Sequence, residues 1–194
     1  MRSDDPRVAE ATLKNIISLF GQDPIAEAVK ELIQRASETI IFLPKNQMTT
    51  IDNGSLTIKG GISFNKVIEE GKYTYVDPFL IKKFPLKLPK KGKIREVDFE
   101  LLNFKGCVRS EEALACIGEK NSKPGGIEAL LAFGAKYSDI QANMMVVELG
   151  SIWTTDNKDR YIVYLQISPC GLRSLECVVF ERIWPPNCSF LVIN

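Results

Sequence analysis

The chain has 194 residues, of which 45% are hydrophobic and 25% charged, with a formal net charge of +1. This is an ordinary globular composition, and the length suffices to bury a core without metal or disulfide support. Histidine is absent, which excludes Ser-His-Asp and Cys-His nucleophilic catalysis, His-ligated zinc and imidazole acid–base chemistry.

The N-terminal stretch predicts a helical hairpin over residues 1–37. Pro6 follows the capping residue Asp5, and Val8, Leu13, Ile16, Ile17 and Phe20 fall near one face before Gly21. A second helix begins at Asp23-Pro24, with Ile25, Ala28, Val29, Leu32 and Ile33 as its apolar stripe. Residues 38–194 then read as one β-rich domain. TIIFLP is a short strand, and Asn53-Gly54 within TTIDNGSLTI predicts a hairpin turn between two β-rich runs. Residues 59–76 hold one or two strands or a short helix. IREVDFELLNF is a strand with Val97, Phe99 and Leu101 on one side.

SEEALACIGE reads as a short helix capped by Ser110, NSKPGG as a loop, and IEALLAFGAKY as a second short helix. The last third predicts three strands, NMMVVELGSIW, RYIVYLQIS and LRSLECVVFERIW, joined by the short turns TTDNKD and PCG into an antiparallel meander. The expected fold is therefore α+β: an N-terminal helical hairpin plus a twisted, mainly antiparallel sheet with two short helices. The tail IWPPNCSFLVIN ends the last strand at Pro185-Pro186. Its apolar residues Trp184, Phe190, Leu191 and Ile193 either close the chain's own core or self-associate with a neighbouring subunit as an added edge strand.

No apolar run approaches the roughly 18 residues of a transmembrane helix, and MRSDDPRVAE lacks the pattern of a secretory signal, so a cytosol-facing protein is expected. The cysteines, Cys107, Cys116, Cys170, Cys177 and Cys188, are odd in number and form no CxxC pair. Reduced thiols, no structural metal and no cofactor are expected. No P-loop, GxGxxG, calcium loop or GxSxG motif marks a reaction, and no catalytic residue is assigned.

The strongest functional signal is KKFPLKLPKKGKIR, residues 82–95. Seven of its fourteen residues are cationic, Lys82, Lys83, Lys87, Lys90, Lys91, Lys93 and Arg95, while the rest of the chain sums to about −6. Such local charge attracts an anionic partner. Pro85, Pro89 and Gly92 disfavour a regular helix across it. Phe84, Leu86 and Leu88 alternate with the charges as candidates for shallow membrane insertion. The same cations suit RNA phosphates, and a solvated loop without a dedicated partner is the third reading.

Within residues 84–183, PLKLPKK before a strand, the helix EALLAFGA and the strands YIVYLQIS and LECVVFERI resemble, in order and texture, the matrix proteins of negative-strand RNA viruses, rhabdoviruses in particular. The resemblance covers about half of the chain. It implies a non-enzymatic structural protein of the virion that binds anionic membrane at its inner face in the host cytoplasm, self-associates as a homo-oligomer and meets the nucleocapsid or RNA. The alternative is an RNA-binding viral accessory protein, a movement protein or silencing suppressor, using the same basic segment. An enzyme or small-molecule-binding domain is a more distant third.

Overall fold

The computed structural model describes residues 48–83, 90–168 and 170–194, Lys82 and Lys83 by backbone alone. The helical hairpin expected over residues 1–37 and the strand TIIFLP lie outside the described residues. Contacts divide the chain between Ile41 and Phe42, and every described residue belongs to the second unit.

That unit is built on a nine-stranded mixed sheet. Its principal order is β1 (Met48–Lys59), β3 (Ile94–Phe104), β11 (Cys188–Ile193), β6 (Met145–Val147), β8 (Arg160–Ile167), β9 (Arg173–Val179) and β2 (Tyr75–Val76). Two short strands join it, β5 (Lys123–Pro124) on β11 and β7 (Trp153–Thr154) on β8. Most pairings are antiparallel; β11–β6 and β2–β9 are parallel. A separate ribbon pairs β4 (Val108–Arg109) with β10 (Ile183–Trp184).

Both faces of the sheet are covered, which explains the unbroken apolar runs of its central strands. In β8, Val163 and Leu165 enter one core while Ile162 and Tyr164 enter the other. β3 divides Phe99 and Leu101 from Leu102 and Phe104 in the same way. The first core lies under the helices α1 (Phe64–Gly71), α2 (Pro78–Lys83) and α4 (Ile127–Lys136), through Val67, Leu80, Leu130 and Phe133. The short α5 (Ser138–Gln141) follows α4. The second core lies under α3 (Ser110–Glu119) and the β4–β10 ribbon, through Ala113, Ile117, Val108 and Trp184. Two short helices were expected; the described residues contain five.

The hairpin expected at Asn53-Gly54 does not form. β1 runs straight through it, Asn53 opposite Glu100 and Gly54 opposite Phe99. Gly54 meets a packing requirement there, since a Cβ would lie 2.6 Å from the Tyr137 hydroxyl and 2.9 Å from the Phe99 ring. The irregularity falls earlier, where Ile51 is an extra residue between the pairs Thr50–Leu102 and Asp52–Leu101.

Two of the three long C-terminal strands are also interrupted. Glu148 breaks the first: its carboxylate accepts the Ser151 N–H at 2.8 Å and the Val163 N–H at 3.3 Å, and the chain loops out before β7. The last run leaves the sheet after Val179, and Trp184 donates its indole N–H to the buried Ser110 hydroxyl at 2.9 Å. Ser110 therefore anchors Trp184 instead of capping α3, which starts from Arg109, whose N–H goes to the Glu112 carboxylate at 3.0 Å.

Of the two expectations for the tail, the described strand fits the closing of the chain's own core. β11 lies between β3 and β6, so it is a central strand and has no free edge for a neighbour. Trp184, Phe190 and Leu191 are at most 1% exposed, and Ile193 packs partly buried against the first core. Buried apolar area holds these residues inside their own chain, and a subunit contact through them would require the fold to open.

Candidate anion-binding surface

β1 and β3 are paired neighbours, yet residues 60–93 separate them and hold α1, β2, α2 and most of the basic segment. Each piece has a local cause. Ser63 caps α1 by accepting the Lys66 N–H at 3.3 Å, and Lys72 ends it in the left-handed region at φ 50°. Asp77 accepts the Phe79 N–H at 2.8 Å ahead of Pro78, the pattern that starts α2. α2 ends at Lys83, and in the sequence Pro85 follows two residues later, which disfavours a further helical turn. Phe84, Leu86, Lys87 and Leu88 lie outside the described residues.

Lys90–Lys93 form a turn closed by the Lys93 N–H on the Lys90 carbonyl at 3.0 Å, with Gly92 at φ +78°. The turn is fixed to the end of β1. Gly60 donates to the Lys93 carbonyl at 2.8 Å, and Gly61 lies so close to the Lys91 backbone that a Cβ there would overlap it. Lys90, Lys91 and Lys93 are exposed and have no ion pair among the described residues. Arg95, on β3, reaches Glu128 at 3.6 Å. Three of the four cations of the run whose side chains are described therefore have no ion pair among the described residues, on a turn tied by backbone bonds to the end of β1.

Phe79, one turn before Lys83, packs its ring 4.7 Å from Trp153 and 5.1 Å from Tyr161. All three are partly exposed, and Ile81 and Tyr75 in the same connection are 54% and 51% exposed. This aromatic cluster was not legible in sequence, because it joins residues from α2, β7 and β8. The Asp77-Pro78 pair was a local signal for α2 that could have placed Phe79 on a helix.

Beside the basic turn, a groove of about 430 Å³ runs between β1, α1 and α4. Ile58, Ile62, Val67 and Leu131 form its floor, and Ala132 and Ala135 keep its α4 wall low. Lys59 faces Glu70 across it at 3.9 Å, and Lys136 reaches over β1 to donate to the Ser55 carbonyl at 2.8 Å.

The other polar clusters are engaged in holding the fold. Glu148 is fully buried, and desolvation pushes its carboxyl up to about 8 against the stabilising N–H groups of Ser151, Val163 and Gly150. Glu176 accepts from Tyr164, Gln166 and Ser174 at 2.7, 2.8 and 2.6 Å. Arg173 ties three elements together, donating to the Gly71 and Gly134 carbonyls and to the Gln141 side chain. The Cys177 thiol donates to Asp77 at 3.3 Å, and burial raises it to about 12, far from a reactive thiolate.

No family model, curated protein or solved structure matches the chain. Among the described residues no helix is long and apolar enough to cross a membrane, and no group of acidic or cysteine side chains is placed to hold a metal ion.

Proposed function

We propose that the protein is a non-enzymatic structural protein of matrix type that attaches to anionic membrane surfaces through its basic segment and self-associates during assembly. One observation carries this reading: Lys90, Lys91 and Lys93 are exposed, without ion pairs among the described residues, and pinned to the end of β1. A cation near an anionic bilayer contributes about 1 kcal/mol, so the segment supports reversible attachment that multivalency would strengthen. Self-association must use a surface other than Trp184, Phe190 and Leu191, which are internal.

The aromatic cluster of Phe79, Trp153 and Tyr161 favours a second reading. Phe79 lies on the helix that leads in sequence into the basic run, and partly exposed rings combined with cations are the elements of single-strand RNA binding, where bases stack on aromatics and cations follow the phosphates. Co-sedimentation with phosphatidylserine vesicles, set against gel shift on single-stranded RNA at low and high salt, separates the two. The triple change Lys90→Glu, Lys91→Glu and Lys93→Glu should abolish vesicle binding with the circular dichroism spectrum intact. Vesicle binding that survives it ends the membrane reading. RNA retention lost by Trp153→Ala, with vesicles ignored, establishes the second.

A further inference from the structure

The groove beside the basic turn exposes backbone as well as side chains. Asn194 donates its N–H to the Asp98 carbonyl at 3.0 Å, so Asp98 turns its polar groups toward β11 and away from β1. Ser55 stands opposite Asp98 and therefore turns its own polar groups away from β3. Lys136 and Tyr137 accordingly donate to the Ser55 carbonyl from outside, at 2.8 and 3.1 Å. Strand alternation gives Thr57 and Lys59 the same outward orientation. Both line the groove, and no strand pairs with β1 on that side among the described residues.

An open strand edge, an apolar floor and a helix wall kept low by Ala132 and Ala135 are the parts of a strand-addition site. An acyl chain would fill the floor but leave the N–H and C=O groups of Thr57 and Lys59 without partners once water left. A peptide backbone satisfies them. Charge selects the peptide further. Glu70 and Glu128 on the rim already face Lys59 and Arg95, whereas Lys90, Lys91 and Lys93 at the Gly60–Gly61 end have no acidic partner among the described residues.

We infer that this groove receives an extended segment of a partner protein as an added strand on β1, with apolar side chains entering the groove and acidic ones beyond them at the Lys90–Lys93 turn. The site shares the Lys90–Lys93 turn with the proposed membrane contact and goes beyond that reading in giving the groove beside it a peptide ligand.

A display library of random peptides roughly eight residues long, enough for a short added strand at about 3.3 Å per residue with acidic residues beyond it, tests the inference, with enriched sequences remade as terminally blocked peptides. Enriched peptides should alternate apolar residues and carry Asp or Glu at one end. Thr57→Pro removes an outward-facing N–H, which an edge strand tolerates, together with the hydroxyl bond to Glu96 that Thr57→Val also removes, and should weaken binding about tenfold. Thr57→Val keeps that N–H and should bind as wild type. Ala135→Trp fills the groove and should abolish binding, and N-methylating the peptide amides that face β1 tests the same contact without altering the protein. No enrichment overturns the inference, as does binding insensitive to Ala135→Trp and N-methylation. Light scattering in which Thr57→Pro dissociates an oligomer would place a second copy in the groove and overturn the assignment to a partner protein.

Discussion

Replacing Glu148 by glutamine should flatten part of the dependence of stability on pH. The carboxyl is fully buried where β6 leaves the sheet, and desolvation raises it from about 4.5 to about 8 despite three backbone donors, with the nearby Glu128 charge adding to the rise. The direction of the effect follows from proton counts. Below about pH 4.5 the group is protonated in folded and unfolded chains alike, and its contribution is fully present. Between about 4.5 and 8 the folded chain keeps a proton that the unfolded chain has released, so rising pH favours unfolding. At about 1.4 kcal/mol per unit, and allowing for local relaxation, wild type should lose on the order of 2–4 kcal/mol across that window through this group. Glu100 pulls the other way, because hydrogen bonds from Lys120 and Thr50 hold its carboxyl below the usual range, and its contribution is lost as pH falls. The informative quantity is therefore a difference. Urea unfolding of wild type and Glu148→Gln at about pH 5, 6.5 and 8 should show the variant gaining relative stability as pH rises. A difference constant with pH would refute the reasoning.

Leu191→Ala removes a side chain buried in the middle of the sheet and should cost about 3 kcal/mol in urea unfolding; deletion of residues 185–194 should leave no folded domain by circular dichroism, and a folded, merely dissociated product would contradict the central place of β11. Gly134→Ala puts a methyl group against the Tyr73 hydroxyl, which is buried without a hydrogen-bond partner, and should cost about 1–3 kcal/mol. Tyr73→Phe alone should be nearly neutral and should restore most of the Gly134→Ala loss, so additive effects of the two changes in thermal unfolding would count against the contact.

Local signals were legible where one short stretch decides the outcome. The helix over Ile127–Lys136 and the strand over Ile94–Phe104 follow from periodicity. What escaped depends on partners distant in sequence. Asn53-Gly54 carries strong turn chemistry, but an eleven-residue partner strand and the rings of Phe99 and Tyr137 outweigh it. The Glu148 break reads as part of a strand until Ser151 and Val163 are seen to donate to its carboxylate. SFLVI at the end of the chain gives no sign that it enters between two strands. The groove was equally hidden, since it is assembled from β1, α1 and α4 and depends on which way Thr57 turns its backbone.

The position of the basic turn decides how a charge-reversal experiment can be interpreted. β11 is the last of the described strands and contributes to both cores, so the sheet is complete only once residues 188–193 lie between β3 and β6. The connection bearing Lys90, Lys91 and Lys93 enters from β1 and leaves into β3, whose pairing extends over the length of β1. The lysines themselves are exposed, and the turn is held by backbone bonds at Gly60 and Lys90. Reversing their charges therefore removes no buried area and no ladder hydrogen bond, and exposed substitutions of this kind stay within about 0.5 kcal/mol. A loss of vesicle or RNA binding in the triple variant would then report on the surface, because the fold beneath it does not depend on those charges.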